Sequence, residues 1–337
     1  MAATELTRRV KADHFRVGLM FAIGSAFAFG SSGPFAKSLM GAGWSPTAAV
    51  TARLALGALV LAIFASIVRP GWHREALRHA KAVIAYGAIP IAGAQLFYYN
   101  AVAHLSVGVA LLLEYTAPII VVAWVWATTR RRPSALTLTG VVIAIAGIMF
   151  VLDVFSGAHI NVAGVAWGLA AAVCAACYFV MSDRVGSDGE GLNPVTLAAG
   201  GLIVGAAAVA LFGASGAMPL TFTANDAVVA GWTTSWVVPV IALGVVATAV
   251  AYTTGIAGIS RLRPRFASLV GLSEVMFAVV AAWILVGEAI TVMQALGGII
   301  VLLGLALARQ GDRSEMLADS TWPDGPLQER PPLRANS

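Results

Sequence analysis

Apolar residues in this chain run in long, nearly unbroken blocks separated by short polar stretches. Ten such blocks can be drawn, at about 16–38, 46–68, 82–103, 106–128, 135–152, 162–182, 194–213, 236–258, 265–286 and 289–308. Each approaches the roughly 20 residues with which an α-helix crosses a bilayer, and each is too long for a barrel strand. Lipid offers no partners to backbone N–H and C=O groups, so a spanning segment has to satisfy its own as a helix does. Gly33-Pro34, Pro90 and Pro118 inside these blocks would end a helix in water. In a membrane they are tolerated where a neighbour or a cavity takes up the freed groups. The first block is too long for a signal-peptide core of about 7–15 residues, so it reads as a retained helix. The pattern predicts an all-α membrane protein with ten transmembrane helices.

The polar stretches between blocks carry a second pattern. One alternating set is basic: Arg8, Arg9 and Lys11, then Arg69, Arg74, Arg78 and Lys81, then Arg130 to Arg132. It continues with Arg184, with Arg261, Arg263 and Arg265, and with Arg309 and Arg313. The intervening loops hold no Lys or Arg apart from Lys37, at the outer end of the first helix. Basic loops stay cytoplasmic, which predicts that both termini are inside. A miscounted helix would scramble this alternation, so the charges support the count of ten independently.

An internal repeat follows. Gly87, Leu105, Trp126, Gly140 and Gly147 recur as Gly244, Leu262, Trp283, Gly297 and Gly304, each displaced by 157. Pro46 and Gly57 recur as Pro194 and Gly205, displaced by 148, the difference falling in the longer loop before the eighth helix. Each half then holds five helices, and an odd number means that the second half enters the membrane inverted. Inverted repeats are a recurring plan of secondary transporters, with the solute site near the midplane between the halves. The expected organisation is a cytoplasmic segment 1–15, a first repeat 16–153, a second repeat 161–309 and a disordered cytoplasmic tail 310–337.

Composition narrows the function classes. Of 337 residues 59% are apolar and 11% charged, with a mean hydropathy of +0.85, whereas a soluble domain carries roughly 25% charged residues. The net charge of +5 lies at helix ends rather than on one face, so nucleic acid is not an expected partner. Cys174 and Cys177 sit in an Ala-rich apolar run with no further ligand near in sequence, and read as packing residues rather than a metal or redox pair. His14, His73, His79, His104 and His159 fall in loops or near helix ends. No metal or cofactor is expected. The expected partners are a small-molecule substrate, protons and the bilayer, with the chain a monomer or homodimer.

Candidate chemistry lies where charge enters the apolar blocks. A buried ionisable group costs roughly 2.5–3.5 kcal/mol even on lenient insertion scales, so each one suggests function. Arg53, Glu114 and Glu274 are the clear cases. Lys37 either joins them or snorkels to the interface. Arg53 and Glu114 lie at similar depth with opposite sign, and their counterparts in the second half are Gly201 and Gly271. They are expected to form an ion pair, either a structural bridge or one opened during transport. Glu274 has no cation near in sequence, which suits either reversible protonation or an ammonium ligand. Tyr178 and Tyr252 are weaker site candidates, as are Gln95, Tyr98, Tyr99 and Asn100, the last three being expected at the membrane interface. Glu288 is expected to be simply solvated in an outer loop.

These residues carry a family resemblance. The segments Ala36-Lys37-Ser38-Leu39, Arg53-Leu54-Ala55-Leu56-Gly57 and Leu113-Glu114-Tyr115-Thr116-Ala117-Pro118, with the run from Glu274 through Gly287-Glu288 to Gly297, resemble the drug/metabolite transporter superfamily. The branch is the one built from two EamA-type five-helix repeats, and within it the segments look most like bacterial inner-membrane threonine/homoserine exporters. The resemblance implies efflux of a small metabolite driven by the proton gradient, with purines, vitamins and toxic compounds as other cargoes of the superfamily. The family often follows the glutamate of the ninth helix with proline; here Val275 stands there, so the local kink is expected to be missing. An intramembrane enzyme would show H-E-x-x-H or G-x-S-x-G, which the sequence lacks. A passive channel would show a filter-like segment or rings of like charge.

Overall fold

The computed structural model describes residues 2–130, 132–152, 161–187, 192–259 and 264–320. Among them, ten apolar helical segments follow the ten blocks. They are α1 (Ala2–Gly30 and Ser32–Gly41), α2 (Pro46–Val68), α3 (Ala80–Tyr86, Gly87–Gly93 and Ala94–His104), α4 (Val107–Glu114 and Ala117–Thr129) and α5 (Ala135–Val151). The second half supplies α6 (Val162–Ser187), α7 (Pro194–Ala214), α8 (Val237–Ile241, Ala242–Val250 and Ala251–Ile259), α9 (Pro264–Val286) and α10 (Val292–Ser320). Six of these segments are long and apolar enough to cross a membrane by length and composition, and four are shorter apolar helices. Large apolar side chains such as Ile67, Leu211 and Val292 are more than 70% exposed. That outward surface fits hydrocarbon, not water.

Glycine contacts make the repeat visible in three dimensions. Gly140 of α5 lies against Gly304 of α10, and Gly147 against Gly297. Low numbers meet high ones, so these two counterpart helices run antiparallel, as inversion requires. A Cβ added at Gly147 would stand 2.6 Å from Val301 N, and one at Gly297 2.7 Å from Val151 N. Only glycine allows this backbone-to-backbone approach, the usual device where helices associate without a hydrophobic driving force. A second pair of contacts obeys the same symmetry: Gly57 of α2 meets Gly244 and Thr248 of α8, while Gly205 of α7 meets Gly87 and Ile91 of α3.

The wide π turns are also repeated. Gly87–Gly93 in α3 and Ala242–Val250 in α8 occupy matching places in the two halves. In α3, Pro90 removes a backbone donor inside the turn. In α8, the Thr248 hydroxyl donates to Leu243 O at 2.8 Å, five residues back. Such turns leave carbonyls open to side chains and are frequent at functional sites.

Two features depart from the expected map. Between α7 and α8 the long loop contains a hairpin, β1 (Ala227–Val229) and β2 (Trp232–Thr234), joined through Ala230 and Gly231, both at positive φ. Ala230 holds this disfavoured conformation while its N–H donates to Leu285 O of α9 at 2.7 Å. α10 continues as helix to Ser320, past the expected end at 309. The tail from 321, with Arg131, His159, Arg261 and Arg263, lies outside the described residues.

Candidate functional site

α4 is broken where its charge sits. Glu114 is the last residue of its first stretch; Tyr115 and Thr116 form a turn, and the helix resumes at Ala117 with Pro118 in its first turn. Proline lacks the N–H that would reach Glu114 O, so the break follows from sequence. The freed chain end is held locally, Thr116 donating its hydroxyl to Leu113 O at 2.6 Å. α9 runs unbroken past Glu274, as the valine at 275 leads one to expect.

Arg53 is buried, only 2% exposed, and its guanidinium makes four hydrogen bonds. Nε donates to Thr248 Oγ1 at 3.0 Å, and Nη2 to Ala247 O, in the α8 π turn, at 3.0 Å. Nη1 donates to Tyr99 Oη at 3.0 Å and to Gln95 Oε1. Among the described residues the ion pairs are Lys37–Glu288 and Arg69–Glu75. The expected Arg53–Glu114 pair is therefore not made. Depth was matched, but the opened α8 turn and the amide and phenol of α3 offer nearer acceptors. Arg53 still acts electrostatically on both carboxylates without touching either.

Glu114 and Glu274 are half-buried and lie within range of each other's charge. Tyr115 links them. Its hydroxyl stands 2.8 Å from Glu274 Oε2 and 2.9 Å from Gly271 O, so the broken turn of α4 is bound to the intact α9. Glu114 makes no hydrogen bond among the described residues. Tyr115 was not singled out by sequence reading, although it stands between Glu114 and Pro118. Tyr252 borders the same interior edge-on to Phe29, and Tyr178 faces Tyr86 at 5.6 Å. Tyr98 and Tyr99, expected at the interface, are 3% and 0% exposed instead, and pack against one another. Asn100 bonds its own helix at Leu96 O. Cys174 packs against Gly93 in the α3 turn, and both thiols are free.

Lys37 is not part of this interior group. It lies at the end of the bundle where α2 begins, paired with Glu288, and also donates to Leu105 O at 3.1 Å. Glu288 is thus pinned rather than merely solvated, because Lys37 and the N–H of Val107, at 2.9 Å, converge on its carboxylate. At the opposite end, Arg69 binds Glu75 at 2.8 Å. That hydrogen bond, with those from the Asn193 amide and the Thr196 hydroxyl, holds the Glu75 carboxyl down at about 2 against the opposing effect of partial burial. A depressed acid loses its contribution only as pH falls toward the lowered value, so this contact stays ionised through neutral and mildly acidic pH.

Comparison with known proteins identifies the family and the fold. The family model described as EamA-like transporter family matches twice, at residues 16–153 and 162–310. The threonine/homoserine exporter RhtA of Escherichia coli (strain K12) is 31% identical over 252 residues, covering 74% of this chain and 77% of that protein. RhtA of Salmonella typhimurium (strain LT2) is 30% identical over 72% of this chain and 75% of its own length. The uncharacterized inner membrane transporter YicL of the same strain is 23% identical over 68% of this chain and 73% of its own length. A solved crystal structure with 20% identity superposes at a TM-score of 0.57, covering 90% of this chain and 99% of the other, which shows a shared fold. Two matched repeats, antiparallel counterpart helices and a broken helix at the interior charges have one common explanation: the chain belongs to the EamA-like transporter family.

Proposed function

We propose that this protein is a secondary active transporter of the bacterial inner membrane that exports a small metabolite, an amino acid such as threonine or homoserine, in exchange for protons. Ten crossings with both termini cytoplasmic fit the alternating basic loops. The observation that carries the reading is the broken turn of α4, where Glu114 is followed by Tyr115, whose hydroxyl contacts Glu274 of α9 in the other half, with buried Arg53 bridging α2, α3 and α8. Broken helices between inverted repeats are where transporters of this plan bind solutes. The names of the 30–31% identical relatives support an amino acid.

The roles divide by partner. Glu114, without a hydrogen bond among the described residues, receives the substrate ammonium. Arg53 receives the carboxylate once Gln95 or Tyr99 gives way. Glu274 handles the proton. One phenol hydroxyl has a single hydrogen to donate, yet Tyr115 has two acceptors within 2.9 Å. Both contacts are satisfied when Glu274 is protonated and donates to Tyr115, which donates on to Gly271 O. Once that proton leaves, the single hydroxyl hydrogen serves either the ionised Glu274 or Gly271 O, not both.

The test is efflux of labelled threonine and homoserine from loaded proteoliposomes, with and without an imposed pH gradient. Gradient-stimulated, saturable release of either is expected. Absence of release from protein shown to be folded would overturn the amino-acid reading.

A further inference from the structure

The interior site leaves two charged contacts unused, one at each end of the bundle, and they share a construction. In the orientation proposed above, the outer one joins Glu288, which follows α9, to Val107 N at the start of α4. Ser106, the N-cap of α4, makes no side-chain cap, and its hydroxyl is buried without a partner. The first turn of α4 therefore takes its acceptor from the other half of the molecule, and Lys37 of α1 fixes that carboxylate. The inner contact joins Glu75, between α2 and α3, to the start of α7. Its oxygens accept from Asn193 N at 2.9 Å and from the Thr196 hydroxyl at 2.8 Å, with Arg69 fixing it. In both cases an acid of one half accepts from the start of a helix in the other half, where the helix dipole favours a negative charge. The donors are Val107 N of uncapped α4 and, in α7, the N–H of Asn193, whose own side chain caps Val195 N. Each bridge can exist only while the halves are close at its own end. The ends are separated by the 23 residues of α2, or roughly 34 Å at 1.5 Å per residue.

We infer that Glu288 and Glu75 are paired positioning residues of the transport cycle, the first latching the outer gate and the second the inner gate. The inference rests on the alternating-access reading above. Opening toward one face requires release of one cross-repeat bridge while the other stays formed, and in this structure both are formed. The inversion explains why the two latches use different loops yet the same chemistry: the helix starts available to them lie on opposite faces.

The latches are separable by experiment without knowledge of the substrate. Spin labels at exposed Gly41 and Ala289 report the outer end, and labels at exposed His73 and Pro194 the inner end, in full-length protein reconstituted in lipid. Glu288→Gln is expected to raise the long-distance population of the outer pair about tenfold and leave the inner pair unchanged. Glu75→Gln is expected to do the reverse. Lys37→Met attacks the outer latch from its other partner and serves if Glu288→Gln fails to yield monodisperse protein. A merely structural role would loosen both ends together or neither, and either result would overturn the proposal. Because the distances are read without transport, a failed efflux assay and a failed latch remain distinguishable.

Discussion

α4 and α9 are counterparts in the two halves, and they have been put to different uses. α4 breaks at Tyr115 and Thr116 and carries Pro118; α9 is continuous and holds Val275 at the equivalent place. Where α4 has Glu114, α9 has Gly271, whose carbonyl lies 2.9 Å from the Tyr115 hydroxyl. The halves share their scaffold, shown by the reciprocal Gly140–Gly304 and Gly147–Gly297 contacts. They differ in charge and in backbone continuity. The repeat thus supplies a symmetric frame, and the interior charges and the helix break are placed asymmetrically within it. One half offers a broken helix, and the other a continuous helix bound to it through Tyr115.

The largest effect should come from removing the charge that only the first half possesses. Arg53→Leu leaves Ala247 O, Tyr99 and Gln95 without their donor inside the bundle. Each buried polar group left unpaired costs about 1–3 kcal/mol, so a loss of about 3 kcal/mol or more is expected in thermal unfolding of the detergent-solubilised protein. Adding Gly201→Arg should not restore it. A Cβ at Gly201 would already stand 2.8 Å from Ile91 Cδ1 and 3.2 Å from Tyr86. Rescue by that exchange would mean that the halves are interchangeable and would end the comparison.

A smaller effect separates the two glutamates. Glu274→Gln keeps a donor toward Tyr115 but cannot release a proton. Net efflux against a gradient should fall by about tenfold or more, the equivalent of one ~1.4 kcal/mol interaction. Exchange of labelled for unlabelled substrate without a gradient should persist. Glu114→Gln should abolish both. Equal losses in both assays for both variants would remove the division of labour between α4 and α9.

Much of the frame was legible in sequence because a bilayer imposes it. Hydrocarbon thickness fixes block length, and close helix approach fixes glycine, so a constant offset of glycines exposes the repeat. The partners of Arg53 were not legible. Its acceptor Ala247 O belongs to a π turn in α8, and hydropathy reads the number of apolar residues, not their hydrogen-bond period. Pro90 in the matching α3 turn was the available signal. Glu288 was misjudged because its partner Lys37 lies 251 residues away, a distance at which spacing says nothing. Tyr115 was missed although Glu114 and Pro118 bracket it; a polar aromatic placed between a charge and a helix breaker is the pattern to notice.

The smallest expected effect tests why α9 tolerates being straight. Val275→Pro gives α9 the residue that breaks α4. A proline inside a helix ordinarily costs about 3 kcal/mol, from the lost hydrogen bond and the clash with the carbonyl four residues back. Here that carbonyl belongs to Gly271 and already has the Tyr115 hydroxyl 2.9 Å away. One of its two lone pairs stays satisfied, so the cost should fall to about 1–2 kcal/mol. The compensation is specific to Tyr115, which makes the prediction a coupling rather than a single value. Tyr115→Phe alone should cost about 1 kcal/mol, and in that background Val275→Pro should return to its full penalty. A cycle of the two single variants and the double variant, read by thermal unfolding at one pH, should give a coupling of about 1 kcal/mol. Additive costs would mean that the phenol serves Glu274 alone, and that the continuity of α9 owes nothing to the broken helix opposite it.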